Sequence, residues 1–391
     1  MKPIVNKFIT RHHSSSFIIK IIRQVFKLLR FEYFLVINMK GYGMLSVNNV
    51  GWMEKEKPKA GPLDAILRPI AVAPCTSDTH TSHGGSGDQK NLILGHEAIG
   101  EVVEVGELVT RFKPGDIVVV PCVTPDWLTR NVQGKYHTHD TGLMASFKFL
   151  LSKDGVFSEY FHVNQADANL VHLPPGMDMG AALMTVDMMS TGFFGAEQAE
   201  VSYGDTVVVI GIGPVGLMAV AGAHLRGAGR LAAVGTRPNG IAVAKEYGAT
   251  DIISYKEGDI VEQVMKMTNG EGADSVIIAG GTQDTLNQAI QMIKPGGVVS
   301  NMNFFDGTDV FTIPAWNWGL GMANKEIRGG FCPGGALRIE KMLNMIQYSR
   351  FDPAKLITHK FDGFDKIEDA FLLMDEKPAD LIKPAVFIEW D

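Results

Sequence analysis

From Thr206 onward, short apolar runs alternate with amphipathic stretches. Thr206–Ile210 (TVVVI) is β-branched and apolar throughout, the pattern of a strand buried on both faces. An apolar helical stretch follows from Pro214, and 231–234 reads as a second strand. The alternation continues with a helix over 241–247, strand 251–255, helix 260–268, strand 274–279, helix 286–293 and strand 298–302. Regular alternation of this kind builds a doubly wound parallel sheet with helices on both faces. Between Met39 and this region the pattern is different. Strands are short (99–105 and Ile117–Val120), and turns are marked by Gly61-Pro62 and Lys113-Pro114-Gly115-Asp116, which predicts a β-rich, barrel-like domain. The stretch 187–197 reads as the helix that crosses between the two. A helix over 337–347 follows the point near Gly330 where the chain returns to the first domain. The predicted division is a β-rich domain from 39–190 and 331–391, an α/β domain from 191–330, and a separate segment 1–38.

Three glycines give the first strand its chemistry. Gly211, Gly213 and Gly216 stand in G-x-G-x-x-G spacing directly after it, with Pro214 and Val215 opening the helix. In a strand–turn–helix context this is a dinucleotide-binding fingerprint. The glycines permit the tight turn, the approach of a pyrophosphate, and close helix–strand packing. The pyrophosphate is expected at the helix N-terminus, where free N–H groups and the dipole favour anions. The end of the second strand, Gly235-Thr236-Arg237, carries no acid before Glu246. A carboxylate there would repel a 2′-phosphate, whereas arginine attracts one, so the pattern predicts NADP rather than NAD. The plainer alternative makes Arg237 a solvated surface residue.

Composition narrows the class. The chain has 391 residues, enough for two domains, with 20% charged and 46% apolar residues. Its net charge of −7 gives no support for nucleic-acid binding. Cys75, Cys122 and Cys332 lie far apart and form neither a disulfide framework nor a C-x-x-C pair, as fits a reducing, cytoplasmic setting. Residues 1–38 hold seven Lys or Arg against one acid, Glu32. Lys20, Arg23, Gln24, Lys27 and Arg30 interrupt apolar residues at helical spacing, giving a basic amphipathic helix too charged to span a bilayer or serve as a secretory signal. An organellar presequence, a peripheral membrane anchor and an upstream stretch translated only in a gene model all fit. The last fits best, because Met39 begins a self-sufficient domain.

Three residues stand out as candidate zinc ligands: Cys75 in PCTSDTH, His96 in LGHEAIG and Asp187 in TVDMMSTGF. Catalytic zinc takes three protein ligands of these types and keeps one position open. Read singly, Cys75 also serves as a buried small hydrophobe, His96 as a strand-edge histidine and Asp187 as a helix N-cap. Spacing alone leaves those alternatives open.

The motifs taken together are more specific. GHExxG at 95–100, KPGD at 113–116 and IGIGPVG at 210–216 resemble the zinc-dependent medium-chain alcohol dehydrogenases. APCTSDTHT, ILGHEAIGEVVEVG, VVVPCVTPDW, KDGVFSEYFHVN, PGGALRIEKM and the C-terminal FDGFDKIEDAFLLMDEKPADLIKPAV are similar to one branch, the NADP-dependent secondary alcohol (isopropanol) dehydrogenases. The resemblance runs from Met39 almost to the end. It implies a GroES-like β-rich catalytic domain joined to a Rossmann NADP(H) domain, and a homotetramer. It also implies one catalytic zinc on Cys75, His96 and Asp187, with Glu97 as a neighbouring carboxylate able to approach the metal. Ser77 and His80 would relay the alcohol proton, and Thr191 would lie near the nicotinamide. Gly235, Thr236, Arg237 and Tyr255 would surround the 2′-phosphate and adenine. The implied reaction interconverts small secondary alcohols and ketones, with short aldehydes as further substrates. Membrane contact is expected only if residues 1–38 are retained.

The chain departs from the family in four places. Three cysteines cannot supply the four-cysteine structural zinc of many relatives. The loop 127–146, with His137, His139 and Asp140, replaces that lobe and reads as an exposed loop with scattered histidines. Ser146-Phe147 stands where the branch has Gly-Trp, and Phe194 where it has histidine, and both bear on the substrate pocket. Met184, Met188 and Met189 read as packing around Asp187. Two rival readings are a zinc-free quinone or enone reductase of the same fold and a catalytically silent NADPH-binding protein. The intact ligand and relay positions speak against both.

Overall fold

The computed structural model describes residues 38–305, 310–348 and 351–390; the basic amphipathic helix expected in the N-terminal segment lies outside the described residues. Strands β1 (Asn38–Ser46) and β2 (Asn49–Glu56) form a three-stranded sheet with the short β4 (Leu92–Ile93), in the order β2-β1-β4. Between them in sequence, β3 (Ala65–Val72) leads into helix α1 (Thr76–Ser82). A seven-stranded sheet is built around β3, which pairs antiparallel with β5 (Ala98–Val105) and β7 (Phe161–Val163). The sheet continues through β6 (Ile117–Val120) to β8 (Val171–His172). These are the many short strands that the turn signals predict.

Helix α2 (Met179–Met184), a π-helical turn (Thr185–Met189) and α3 (Ser190–Gln198) then run on without a break. They lead to the parallel sheet. Along the chain come β9 (Thr206–Ile210), α4 (Pro214–Leu225), β10 (Arg230–Val234), α5 (Pro238–Glu246), β11 (Asp251–Ile253), α6 (Ile260–Met267), β12 (Ala273–Ile278), α7 (Asp284–Met292), β13 (Ile293–Asn301) and β14 (Glu326–Gly329). Across the sheet the order is β11-β10-β9-β12-β13-β14, all parallel. The direction of winding reverses between β9 and β12, the crevice where such sheets bind ligands. The apolar run of β9 has a direct explanation. Val207 and Val209 enter one core cluster while Val208 and Ile210 enter a second on the opposite face, as the two-residue side-chain period requires. The cluster holding Val207 and Val209 also contains Leu67, Ile99 and Val118 of the seven-stranded sheet, so one core joins the parallel and β-rich parts.

The chain then returns. Helix α8 (Ala336–Gln347), β15 (Ile357–Asp362), α9 (Ile367–Glu376) and β16 (Lys383–Phe387) follow, and β16 pairs antiparallel with β3. The whole is a GroES-like β-rich part joined to a Rossmann-type α/β part. Element boundaries differ from the sequence expectation where local chemistry intervenes. Strand β11 stops at Ile253 because the Ser254 hydroxyl accepts from Lys256 N at 3.2 Å and its carbonyl accepts from Gln263 at 2.9 Å, closing a turn. Tyr255 therefore stands beyond the strand rather than closing it. Helix α5 begins earlier than its apolar pattern because Pro238 occupies its first turn.

Candidate functional site

The ends of three elements bring the candidate ligands together. Cys75 is the N-cap of α1, three residues beyond the end of β3. His96 and Glu97 directly precede β5. Asp187 is not a helix N-cap; it occupies the middle of the π-helical turn, and such turns often mark functional sites. Cys75 Sγ is 3.8 Å and His96 Nε2 3.3 Å from Asp187 Oδ2. One ligand atom from each of Cys75, His96, Glu97 and Asp187 lies within 4.8 Å of the other three, and all four residues are buried.

Hydrogen bonds hold these groups in place. The Asp78 carboxylate, fully buried on the first turn of α1, accepts from Cys75 N at 2.8 Å, from Gly95 N at 3.0 Å and from His96 Nδ1 at 3.2 Å. It fixes the imidazole so that Nε2 faces the other donors, the carboxylate–histidine arrangement of metal sites. Thr191 Oγ1 donates to Asp187 Oδ1 at 2.5 Å. The Thr191 hydroxyl is thus committed to a candidate ligand. Arg338, on α8, donates from Nη2 to Ser190 O at 2.7 Å and pairs with Glu197 at 2.8 Å, clamping α3 just beyond the π turn. Lys383 Nζ, on β16, donates to Glu97 Oε1 at 2.5 Å with both side chains fully enclosed.

Electrostatics fit a divalent cation. Burial disfavours charge on His96, yet Asp78 and Asp187 outweigh it and hold the ring well above the ordinary histidine range. Burial also opposes the Asp187 carboxylate, but His96 and Thr191 bring it below its usual value. Burial pushes the Glu97 carboxyl up to about 7 against the pull of Lys383, and Glu97 Oε2 has no hydrogen-bond partner among the described residues. With Lys383 neutralising Glu97, a thiolate, a carboxylate and a neutral imidazole balance one Zn²⁺, and the donor set is one zinc accepts. Sequence reading missed Asp78 and Lys383. The only local signal for Asp78 is its position three residues after Cys75, where it completes a capping box. Asp78→Asn is expected to lower zinc affinity about 10- to 100-fold with little change in fold, measured by competition with a chromogenic chelator. Unchanged affinity would show that the imidazole is oriented by other contacts.

The other predicted residues are distributed as follows. Ser77 Oγ lies 3.8 Å from Cys75 Sγ, and His80 sits one turn further along α1, its ring centroid 6.4 Å from that of Phe304. Phe147 meets His96 edge-on at 5.0 Å and packs on Phe331. Phe194 packs against Gly330, on the returning connection. Met184, Met188 and Met189 are buried in the core. His139, Asp140 and His137 serve the loop itself: His139 Nδ1 accepts from Met144 N, Asp140 pairs with Lys148, and His137 lies against Trp127.

A second feature lies at the winding reversal of the parallel sheet. Gly211 has φ of +90°, and a Cβ on Gly216 would lie 1.7 Å from Gly211 O, so neither position accepts another side chain without backbone movement. A Cβ on Gly213 would meet no atom within 4 Å, leaving open space beside the N-terminus of α4. That first turn has no side-chain cap, so its N–H groups remain available to an anion. Beyond β10, Thr236 Oγ1 donates to Tyr255 OH at 2.7 Å, and exposed Arg237 reaches Lys377 O at 3.4 Å. The turn, the open cradle and the flanking arginine fit a dinucleotide.

Comparison with known proteins agrees with this geometry. Residues 61–175 match the alcohol dehydrogenase GroES-like domain, and residues 214–348 match the zinc-binding dehydrogenase domain. The NADP-dependent isopropanol dehydrogenase of Thermoanaerobacter brockii is 58% identical over 351 residues, covering 90% of this chain and 100% of that protein. That of Entamoeba histolytica is 55% identical over 354 residues, covering 90% and 97%. Among solved structures, the alcohol dehydrogenase TADH from Thermus sp. ATN1 superposes with a TM-score of 0.79 at 28% identity, covering 90% of this chain and 100% of that one. The chain belongs to the zinc-dependent medium-chain alcohol dehydrogenase family.

Proposed function

We propose that this protein transfers hydride between NADP(H) and small secondary alcohols or ketones of the propan-2-ol and acetone type, with short aldehydes as further substrates. The observation that carries the reading is the buried convergence of Cys75, His96 and Asp187 in a chain that also holds an open dinucleotide cradle. Zinc held by these residues supplies Lewis-acid polarisation of the substrate oxygen, and the nicotinamide supplies or accepts the hydride.

The chain's own residues do the rest. Asp78 and Thr191 hold His96 and Asp187 in register. Ser77 and His80, three residues apart on one face of α1, form a route for the substrate proton. A hydroxyl accepts and donates at once, and an imidazole offers one nitrogen that donates and one that accepts. The ring of Phe147, backed by Phe331, covers one side of His96. Gly211, Gly213, Pro214, Val215 and Gly216 cradle the pyrophosphate, while Gly235, Thr236, Arg237 and Tyr255 receive the adenosine 2′-phosphate. Arg237→Ala is expected to raise KM for NADPH by roughly tenfold, the exposed guanidinium being partly screened, and to leave NADH kinetics unchanged. Equal effects on both cofactors would remove Arg237 from the 2′ site.

The deciding experiment follows NADPH and NADH oxidation with acetone, before and after zinc chelation. NADPH-preferring activity that falls on chelation and returns with zinc supports the proposal. Chelator-insensitive reduction of enones would favour the zinc-free reductase, and tight NADPH binding without turnover would favour the silent binder.

The finer assignments belong to the same proposal. We read 39–190 with 331–391 as the catalytic domain, 191–330 as the cofactor domain, and the enzyme as a cytoplasmic homotetramer. Exposed Trp316, Leu320 and Met322, just before the open edge strand β14, support self-association. Light scattering of the purified chain tests the tetramer. No helix among the described residues is long and apolar enough to cross a membrane. Localisation of the tagged chain with and without residues 1–38 tests the setting.

A further inference from the structure

Among the described residues, a second group of potential metal ligands converges beside the first. Cys122 follows β6, and Cys332 lies on the connection from β14 to α8. They are 210 positions apart in sequence, yet their Sγ atoms are 3.5 Å apart, and each residue is only 1% exposed. This separation is far from the ~2.05 Å of a disulfide. It is close to the roughly 3.8 Å that two thiolates span on a tetrahedral cation with bonds of ~2.3 Å. A carboxylate oxygen of Asp187 is within 4.8 Å of both sulfurs. The backbone ties the site to the π turn as well, since Cys122 N donates to Val186 O at 3.5 Å.

We propose that Cys122 and Cys332, with Asp187 as a shared carboxylate, form a second metal subsite that takes a thiophilic d¹⁰ cation such as Cd²⁺. Two thiolates select soft metals over hard ones. Binding forms two sulfur–metal bonds, breaks two S–H bonds and releases two protons to solvent, so no oxidant is needed. Asp187 cannot serve both centres without change. A cation on the second site shares this carboxylate with Cys75 and His96, weakening its hold on the first centre without releasing it, and ties the β14–α8 connection to the end of β6. Occupancy of the subsite therefore inhibits the first centre without expelling its metal. This consequence rests on the proposed role of Asp187 at the catalytic zinc; formation of the thiolate subsite does not.

The test uses the full-length, zinc-loaded chain, kept reduced with a phosphine and titrated with Cd²⁺. Ultraviolet sulfur-to-cadmium charge transfer, cadmium and zinc content per chain, and acetone reduction are followed together. The wild type is expected to gain one cadmium per chain with a two-thiolate band, retain its zinc, and lose activity about tenfold. Cys122→Ala and Cys332→Ala each lose the two-thiolate band, keep zinc and basal activity, and become insensitive to cadmium. Two independent variants guard against misfolding of either one. The band with zinc intact but activity unaffected would leave the subsite standing and remove the shared role of Asp187. A full band in the double alanine variant, with zinc lost one for one, would place cadmium on Cys75 and overturn the subsite. So would a native chain about two mass units light whose reduced form gives no band, since the pair would then be a disulfide.

Discussion

Replacing Asp187 by alanine is expected to leave a folded chain that no longer retains zinc through dialysis and turns over acetone at least ~10³-fold more slowly. The magnitude follows from what the site loses. Metal polarisation of a developing alkoxide supplies several kcal/mol, and each 1.36 kcal/mol is tenfold in rate. Removing the carboxylate also leaves His96 with Asp78 at 3.2 Å and Glu97 at 3.8 Å as acidic neighbours, and frees the Thr191 hydroxyl. Asp187→Cys separates ligation from structure. A thiolate at this position restores a zinc donor without recreating the acceptor for Thr191, so metal content should recover more fully than kcat. Metal analysis with steady-state kinetics on both variants is sufficient. Wild-type zinc content in the alanine variant would remove Asp187 from the ligand set.

The second large effect concerns the pair behind the metal ligands. Lys383→Met is expected to destabilise the metal-free protein by about 3–5 kcal/mol above neutral pH, because it strands Glu97 as a buried, unpaired carboxyl. The loss depends on pH in a defined direction. Burial already lifts Glu97 from 4.5 to about 7 with Lys383 present, and without the lysine its value rises further. Below about pH 4.5, Glu97 is protonated in folded and unfolded chains alike and the variant loses little. Between about pH 4.5 and 7 the folded wild type also keeps Glu97 protonated, so both chains lose stability in parallel; above about pH 7 the wild-type carboxyl ionises beside Lys383 while the variant's does not, and the deficit grows until the pH passes the variant's higher value. Glu97→Gln combined with Lys383→Met should recover most of the stability and flatten the pH dependence. Denaturant titrations of the four proteins between about pH 5 and 9, on either side of the wild-type Glu97 value, test this. A single-variant loss that is small or independent of pH would mean that Glu97 is solvated in the folded chain.

These two predictions separate what the sequence discloses from what it hides. The parallel sheet was legible because each strand is specified locally. Thr206–Ile210 is apolar on both faces, and the glycines that follow have no local alternative to a tight turn. The candidate ligands Cys75, His96 and Asp187 stood out by residue type and family motif, but not by spacing, since 112 positions separate Cys75 from Asp187. Their supports were less visible. Lys383 lies 286 positions from Glu97 and looks like one more charged residue in a C-terminal strand. Cys122 and Cys332 read as isolated thiols because their approach is set by two connections, one after β6 and one after β14, that no periodic pattern encodes. Local signals fix elements; pairs between elements are a property of the packed chain.

The π-helical turn at Thr185–Met189 has a consequence for how the chain can vary in length. One turn of wide helix carries Asp187 and also sets the phase of everything after it. Deleting a single residue there, returning the segment to an ordinary α-helix, would rotate the downstream helix by roughly 100° relative to the upstream one. Either Asp187 would face Cys75 and His96, or Phe193 and Ala196 would face the core, but not both. Insertions and deletions should therefore be tolerated in the loop over 127–146 and excluded from 185–189, and a deletion scan across both segments would show that contrast as survival of fold and zinc content in one and their joint loss in the other.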